Sequence, residues 1–276
     1  MVGIKQFRTY GSGPAQIAVI HGGPSAPGEM APVARELSLE YGVIEPIQTA
    51  MTVNDQIEEL TELLQSDGDI PLILIGYSWG AWLSGMVAAR HPHLVRKLIL
   101  VSAGPFEEQY AMVWQNRMNR LTPAEQQKVP NILDLMKDPD CSSCYMLLAQ
   151  FGAYCMKTDS YHPITHLTGS DDPLPCNHEQ HLMVWEEAAA LRRTGKLLAC
   201  FQRISCPVVA IHGVYDPHPA AGVRDPLTAV LSDFRFIPLE KCGHCPWEEV
   251  EARDCFFSHA QNRIIRLTIM ISLSVH

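Results

Sequence analysis

Four short stretches of this chain carry residue types that can do chemistry together. Gly76-Tyr77-Ser78-Trp79-Gly80 is a G-x-S-x-G motif set between the apolar run Leu72 to Ile75 and a helix-like run rich in Ala and Gly. A serine on so sharp a strand-to-helix turn projects its hydroxyl above a sheet, and flanking glycines let backbones pass without Cβ clashes. The helix N-terminus beneath it offers oriented N–H groups to a developing negative charge. Such a nucleophile needs a base, and the base an orienting acid. Asp216 follows the strand-like run Val208 to Ile211, and His244 follows Phe234 to Ile237. Asp225 is a competing acid, His218 a competing base, and His212, at the strand end, reads as structural. In His21-Gly22-Gly23-Pro24 the glycines let N–H groups approach the nucleophile, so Gly23 and Trp79 N–H are the expected oxyanion donors. The expected chemistry is two-step acyl transfer through Ser78, His244 and Asp216, with no metal or organic cofactor.

Those residues need a scaffold of strand ends. Short apolar runs alternate with longer amphipathic stretches, the pattern of an α/β fold whose mostly parallel sheet is covered by helices on both faces. The expected strands are Ile17 to Ile20, Val43 to Ile47, Leu72 to Ile75, Leu98 to Val101, Val208 to Ile211 and Phe234 to Ile237. Helices are predicted over Glu29 to Glu40, Val53 to Gln65 with Thr52 or Asn54 as cap, and Ala81 to Arg90. Two more are expected near Pro226 to Leu231 and over Trp247 to His259.

Between Pro105 and about Ile204 the strand signal stops. Thr122, Pro123 and Glu125 form a helix start with a capping box, and Pro130 is expected to limit that helix. Ser142 to Tyr154 and His178 to Leu198 are further helical candidates. The expected organisation is an α/β core over 1–104 and 205–260, a helical cap inserted over 105–204, and a tail over 261–276. That tail, with its β-branched RIIRLTIMISLSVH, is compatible with an edge strand, an oligomer contact or a non-native extension.

The chain has 276 residues, 21 Lys and Arg against 30 Asp and Glu, and 47 % apolar types. That is enough to bury a full core, and a net charge of −9 is wrong for capturing nucleic acid or an anionic membrane. No apolar run approaches the ~20 residues a membrane helix needs. The first ten residues lack the apolar stretch of a signal peptide. Nine cysteines, odd in number and unevenly spaced, fit a reducing, cytoplasmic setting better than a disulfide framework. Cys242-Gly243-His244-Cys245 has the form of a redox dithiol, but it lies late in the chain, is followed by Pro246, and contains the proposed base. Cys141 and Cys144 form a second C-x-x-C pair, too distant in sequence to make a shared zinc site the expectation.

HGGP at His21 to Pro24, GYSWGAW at Gly76 to Trp82, HPHLVRKLILVSA at His91 to Ala103, CPVVAIHGVYD at Cys206 to Asp216 and GHCPWEE at Gly243 to Glu249 together resemble the α/β-hydrolase superfamily with a helical cap. Within it, the resemblance is to the proline iminopeptidase-like serine hydrolases, over about Phe7 to Phe257. It implies the same triad and oxyanion donors, and hydrolysis of amides of N-terminal proline or small amino acids. Relatives of that group are esterases, lactonases and C–C bond hydrolases. Members hold the substrate's free amine with cap glutamates, for which Glu186 and Glu187 are the candidates, with Trp185 beside them as a pocket residue. The chain departs from the group where an Asp-Gln-Arg-Gly stretch is usual, and Ser25 stands in the last place of HGGPG. The substrate is expected to be a small molecule or short peptide. Monomer and homo-oligomer both stay open. A carboxylesterase or lactonase is the nearest alternative; a non-catalytic ligand-binding or interaction protein on the same scaffold is the alternative of another class.

Overall fold

The structure is a computed structural model that describes residues 7–136, 144–164, 174 and 176–261. In chain order its elements are β1 (Phe7–Tyr10), β2 (Ala15–Ile20), α1 (Ala31–Leu37), β3 (Gly42–Pro46), α2 (Val53–Asp67), β4 (Gly68–Tyr77), α3 (Trp79–Arg90) and β5 (Val95–Val101). Then come α4 (Val113–Asn119), α5 (Pro123–Met136), α6 (Cys144–Asp159), α7 (His178–Arg193), α8 (Lys196–Phe201), β6 (Val208–Gly213), α9 (Ala221–Val230) and β7 (Phe234–Leu239). A final helix, α10, is described over 253–261.

The seven strands form one sheet in the order β1-β3-β2-β4-β5-β6-β7, parallel except for β1, which pairs antiparallel with β3. Both faces are buried, so each central strand divides its apolar residues by parity. Ala18, Ile20, Leu72, Leu74, Leu98 and Leu100 face one core, shared with α2, α3 and α8. Ile17, Val19, Ile73, Ile75, Ile99 and Val101 face the other, closed by α1, Trp247 and Phe256. Although β5 and β6 pair side by side, α4 to α8 lie between them in the chain. Ser78 follows β4, Asp216 follows β6 and His244 follows β7, so three parallel strands, with β5 between the first two, deliver the three candidate groups to one end of the sheet. No described helix is long and apolar enough to cross a membrane.

Several expectations need correction. The first helix is shorter than Glu29 to Glu40, and β1 carries no apolar run that would announce it. Pro130 does not limit α5, which continues to Met136. The residue is exposed, so water can satisfy the carbonyl that its missing N–H leaves free. Helix α9 starts at Ala221, before Pro226; the Gly222 carbonyl that Pro226 cannot use accepts instead from Phe106 N at 2.9 Å. The stretch His178 to Leu198 is two helices, broken where Gly195 takes φ 72°. The last predicted helix begins as a 3-10 turn at Pro246–Glu248 and becomes α-helical only at 253. The capping box holds: Thr122 N donates to Glu125 Oε2 at 2.9 Å and Glu125 N to Thr122 Oγ1 at 3.4 Å. Thr52 caps α2 by accepting from Asp55 N. Cys141 and the tail from 262 onward lie outside the described residues.

Candidate active site

Ser78 sits at the junction of β4 and α3 with φ 51° and ψ −112°. A non-glycine residue there stores on the order of 1–3 kcal/mol and persists only where its surroundings fix it. Here Ser78 N donates to Val101 O at 2.9 Å, which anchors the elbow to the neighbouring strand. A Cβ on Gly80 would lie 2.4 Å from Ile20 O, and one on Gly76 2.2 Å from Gly80 O. Both glycines of the motif are therefore required by close backbone approach, one of them against the strand that leads into the His21-Gly22 turn.

Asp216 is buried and fully engaged. Its Oδ2 accepts from His244 Nδ1 at 2.8 Å, while its Oδ1 accepts from His218 N at 2.9 Å and His218 Nδ1 at 2.8 Å. Burial alone would raise this carboxyl, but His244, His218 and His212 around it hold it well below the usual carboxylate range. Burial also works against a charged His244, yet the Asp216 carboxylate outweighs it and raises the ring above its ordinary value. His218 differs: burial pushes it down to about 4, so it is neutral at pH 7. The two rings stack with centroids 4.5 Å apart, and the His244 ring also makes a tilted contact with Tyr77, the residue before Ser78, at 5.0 Å. His244, Asp216 and Tyr77 thus pack into one corner. Asp216, His218 and His244 atoms lie within 4.8 Å of one another, the spacing their mutual hydrogen bonds require. His212 Nε2 donates to His218 O at 2.9 Å, the structural part expected of it. The rival acid Asp225 is half exposed on α9 and pairs with Arg224.

Of the two expected oxyanion donors, Gly23 takes φ 38° and Trp79 opens α3. Gln56, fully buried, links the two segments. Trp79 Nε1 donates to Gln56 Oε1 at 3.1 Å, and Gln56 Nε2 donates to Pro24 O at 3.3 Å and Ala50 O at 3.0 Å. His21 is neutral, its ring pushed down to about 4 by burial, and Nδ1 donates to Gly22 O at 2.8 Å.

The α7 side chains do not fall as expected. Glu186 is exposed and pairs with Arg193 at 3.1 Å, while Glu187 Oε2 accepts from Val53 N, at the start of α2, at 2.8 Å. Trp185, 40 % exposed, stacks on buried Trp82. One turn before it, His181 stacks on Trp185, and its Nδ1 is 4.0 Å from where a Cβ on Gly23 would lie. His181 and Trp185, not the two glutamates, thus form the helix face nearest the oxyanion turn.

Sequence reasoning missed Gln56, His181, Glu249 and the pairing of His218 with Asp216. Gln56 left a trace: it interrupts the apolar stripe Val53, Ile57, Leu60 with an amide. Glu249, at 1 % exposure, accepts from Gly243 N, Tyr161 N and His162 N and ties the His244 loop to the segment after α6. The CGHC stretch lacks the thiol activation that a redox dithiol needs. Burial raises the thiols of Cys242 and Cys245 above their ordinary value, the reverse of an activated dithiol, and Cys245 Sγ lies 2.8 Å from Tyr77 Oη.

Comparison with known proteins agrees with this geometry at the level of fold. The sequence profile of the alpha/beta hydrolase fold family matches residues 21–133. Among solved structures, the chain is similar to VinJ, with TM-score 0.69 and 18 % identity over 96 % of this chain and 97 % of that one. It is also similar to E-2-(acetamidomethylene)succinate hydrolase, with TM-score 0.61 and 19 % identity over 94 % of each chain. The enol-lactonase from Burkholderia xenovorans LB400 gives TM-score 0.59 and 16 % identity over 94 % of this chain and 95 % of that one. No protein of curated function matches by sequence. The architecture is the α/β-hydrolase fold.

Proposed function

We propose that the protein is a serine hydrolase that cleaves a small or medium ester, lactone or amide through an acyl-enzyme. The observation that carries this reading is the 2.8 Å contact of His244 Nδ1 with a buried, ionised Asp216, beside a serine held at positive φ. His244 takes the proton of Ser78 as its oxygen attacks the carbonyl carbon. Gly23 and Trp79 N–H groups receive the tetrahedral oxyanion, and Asp216 stabilises the imidazolium. The imidazolium then protonates the leaving group, and the neutral ring next activates water to release the acid. Helices α4 to α8 act as the cap over this site. Replacing Ser78 with Ala should abolish covalent labelling by a fluorophosphonate probe. A wild type that does not label favours a non-catalytic binding protein.

Two substrate classes compete. The sequence resemblance supports a proline iminopeptidase-like aminopeptidase, which needs a carboxylate for the substrate's amine. The engagement of Glu187 with α2 and of Glu186 with Arg193 favours an uncharged ester or lactone. Turnover of aminoacyl-naphthylamides against short-chain acyl esters decides: rates that require a free N-terminal amine select the aminopeptidase.

A further inference from the structure

A cluster of proton-bearing groups lies behind the triad and takes no part in the steps above. Glu29 is its centre. Gly22 N, in the turn that presents Gly23, donates to Glu29 Oε2 at 3.1 Å. A Cβ on Gly22 would lie 2.8 Å from that oxygen and 2.7 Å from the Tyr77 ring, so carboxyl and ring close on this one backbone position together. Tyr77 in turn packs on His244 and places its Oη 2.8 Å from Cys245 Sγ, one residue beyond the base. The two halves of the site, oxyanion turn and histidine loop, are therefore joined on their rear side through Glu29 and Tyr77.

We propose that Glu29 is a positioning residue of the serine hydrolase reading above, fixing the oxyanion turn through Gly22 N–H and coupling its charge to the His244 base. The groups facing it are His244, Cys245 and Glu248 from the loop after β7, Tyr77 from the end of β4, and Glu45 from β3. His244, which also faces Asp216, Asp159 and Arg117, is the group among them that becomes positive on protonation. Glu248 and Glu45 oppose ionisation of Glu29, and the Tyr77 hydroxyl and Cys245 thiol, both raised well above their ordinary values, remain neutral. Burial, the largest influence, moves Glu29 up to about 7, against the downward pull of His244 and Gly22 N–H. Its charge therefore changes near neutral pH. An ionised Glu29 makes a charge-assisted bond to Gly22 N–H and favours imidazolium at His244.

This gives opposite expectations for two variants. Glu29→Gln keeps an acceptor for Gly22 N–H but removes the charge. Without the anion, His244 becomes neutral at lower pH, and the acid limb of the pH profile moves down by about half a unit or more. Glu29→Leu removes the acceptor as well, and the plateau rate falls about 10-fold or more. The experiment measures the rate of fluorophosphonate labelling from pH 5 to 9 for wild type, Glu29→Gln and Glu29→Leu, with thermal melts to confirm folding. A wild type that fails to label refutes the hydrolase reading itself. If wild type labels and the Glu29→Gln acid limb superimposes on it, the role of Glu29 is overturned, whatever Glu29→Leu does.

Discussion

The site has two walls built by different physics. On the sheet side, Ser78, Asp216 and His244 are placed by the ends of β4, β6 and β7, and close backbone approach permits only glycine at 76 and 80. On the α7 side, placement depends on side chains that reach across to backbone: Gln180 Nε2 to Gln48 O at 2.9 Å, and Glu187 to Val53 N at 2.8 Å. The first wall is fixed by a seven-stranded ladder whose register cannot shift by one residue without exchanging the side chains of its two buried faces. The second is held by Val184 and Ala188, buried in the core shared with α2 and α3, and by a few hydrogen bonds, each worth about 1 kcal/mol. Helix side chains can thus vary while the strand-end positions stay fixed.

The sharpest break is expected on the sheet side. Asp216→Asn leaves shape intact but removes the anion that raises His244 and stabilises its charged form. Fluorophosphonate labelling should slow by about 10³-fold or more. An effect below tenfold would make His218, not Asp216, the partner that matters to the base. The same corner sets an acid limit on stability. His218 and His21 are lowered to about 4, so they bind protons less readily folded than unfolded. Their contribution is present above the ordinary histidine value of about 6.5 and is lost as pH falls from there towards 4. Wild type minus His218→Asn, in melting temperature against pH, should therefore narrow across that interval; a constant difference contradicts it.

The two walls also differed in how legible they were. G-x-S-x-G, HGGP and the Asp and His after apolar runs name the sheet side directly, because backbone geometry demands particular residues at particular chain positions. The α7 side resists such reading for the complementary reason. Glu186 and Glu187 are adjacent in sequence but point differently on a helix, one to Arg193 and one to α2, and only the packing of α7 decides which face meets the site. Glu29 was unreadable as well. An acid in a Gly- and Pro-rich loop looks solvated until the fold shows Tyr77 and Gly22 closing over it. Pro130 and Pro226 misled because one is exposed to solvent and the carbonyl the other leaves free accepts from Phe106 N, neither of which local rules can see.

A middle-sized effect is expected where the walls meet. Gln56 joins the Trp79 indole to Pro24 O, so Gln56→Leu keeps the volume but leaves the indole N–H and two carbonyls without this partner. Labelling should slow about 10-fold, less than the loss of a direct oxyanion donor, with a stability cost of about 1–3 kcal/mol. Equal labelling by a folded variant would show that the oxyanion turn is held without it.

The smallest effects separate the two glutamates. Glu187→Ala removes the acceptor at the α2 N-terminus that also ties α7 in place, and should cost about 1 kcal/mol. If α7 is the substrate wall, KM should rise while the rate of labelling by a small fluorophosphonate holds, because the triad is untouched. Glu186→Ala removes only an exposed pair with Arg193, and its melting temperature should match wild type. That variant is the more informative about substrate. An aminopeptidase that uses Glu186 for the amine loses turnover of aminoacyl-naphthylamides and keeps its labelling rate. An ester or lactone hydrolase keeps both its labelling and its turnover of acyl esters, and the exposed carboxylate is then a surface charge facing Arg193.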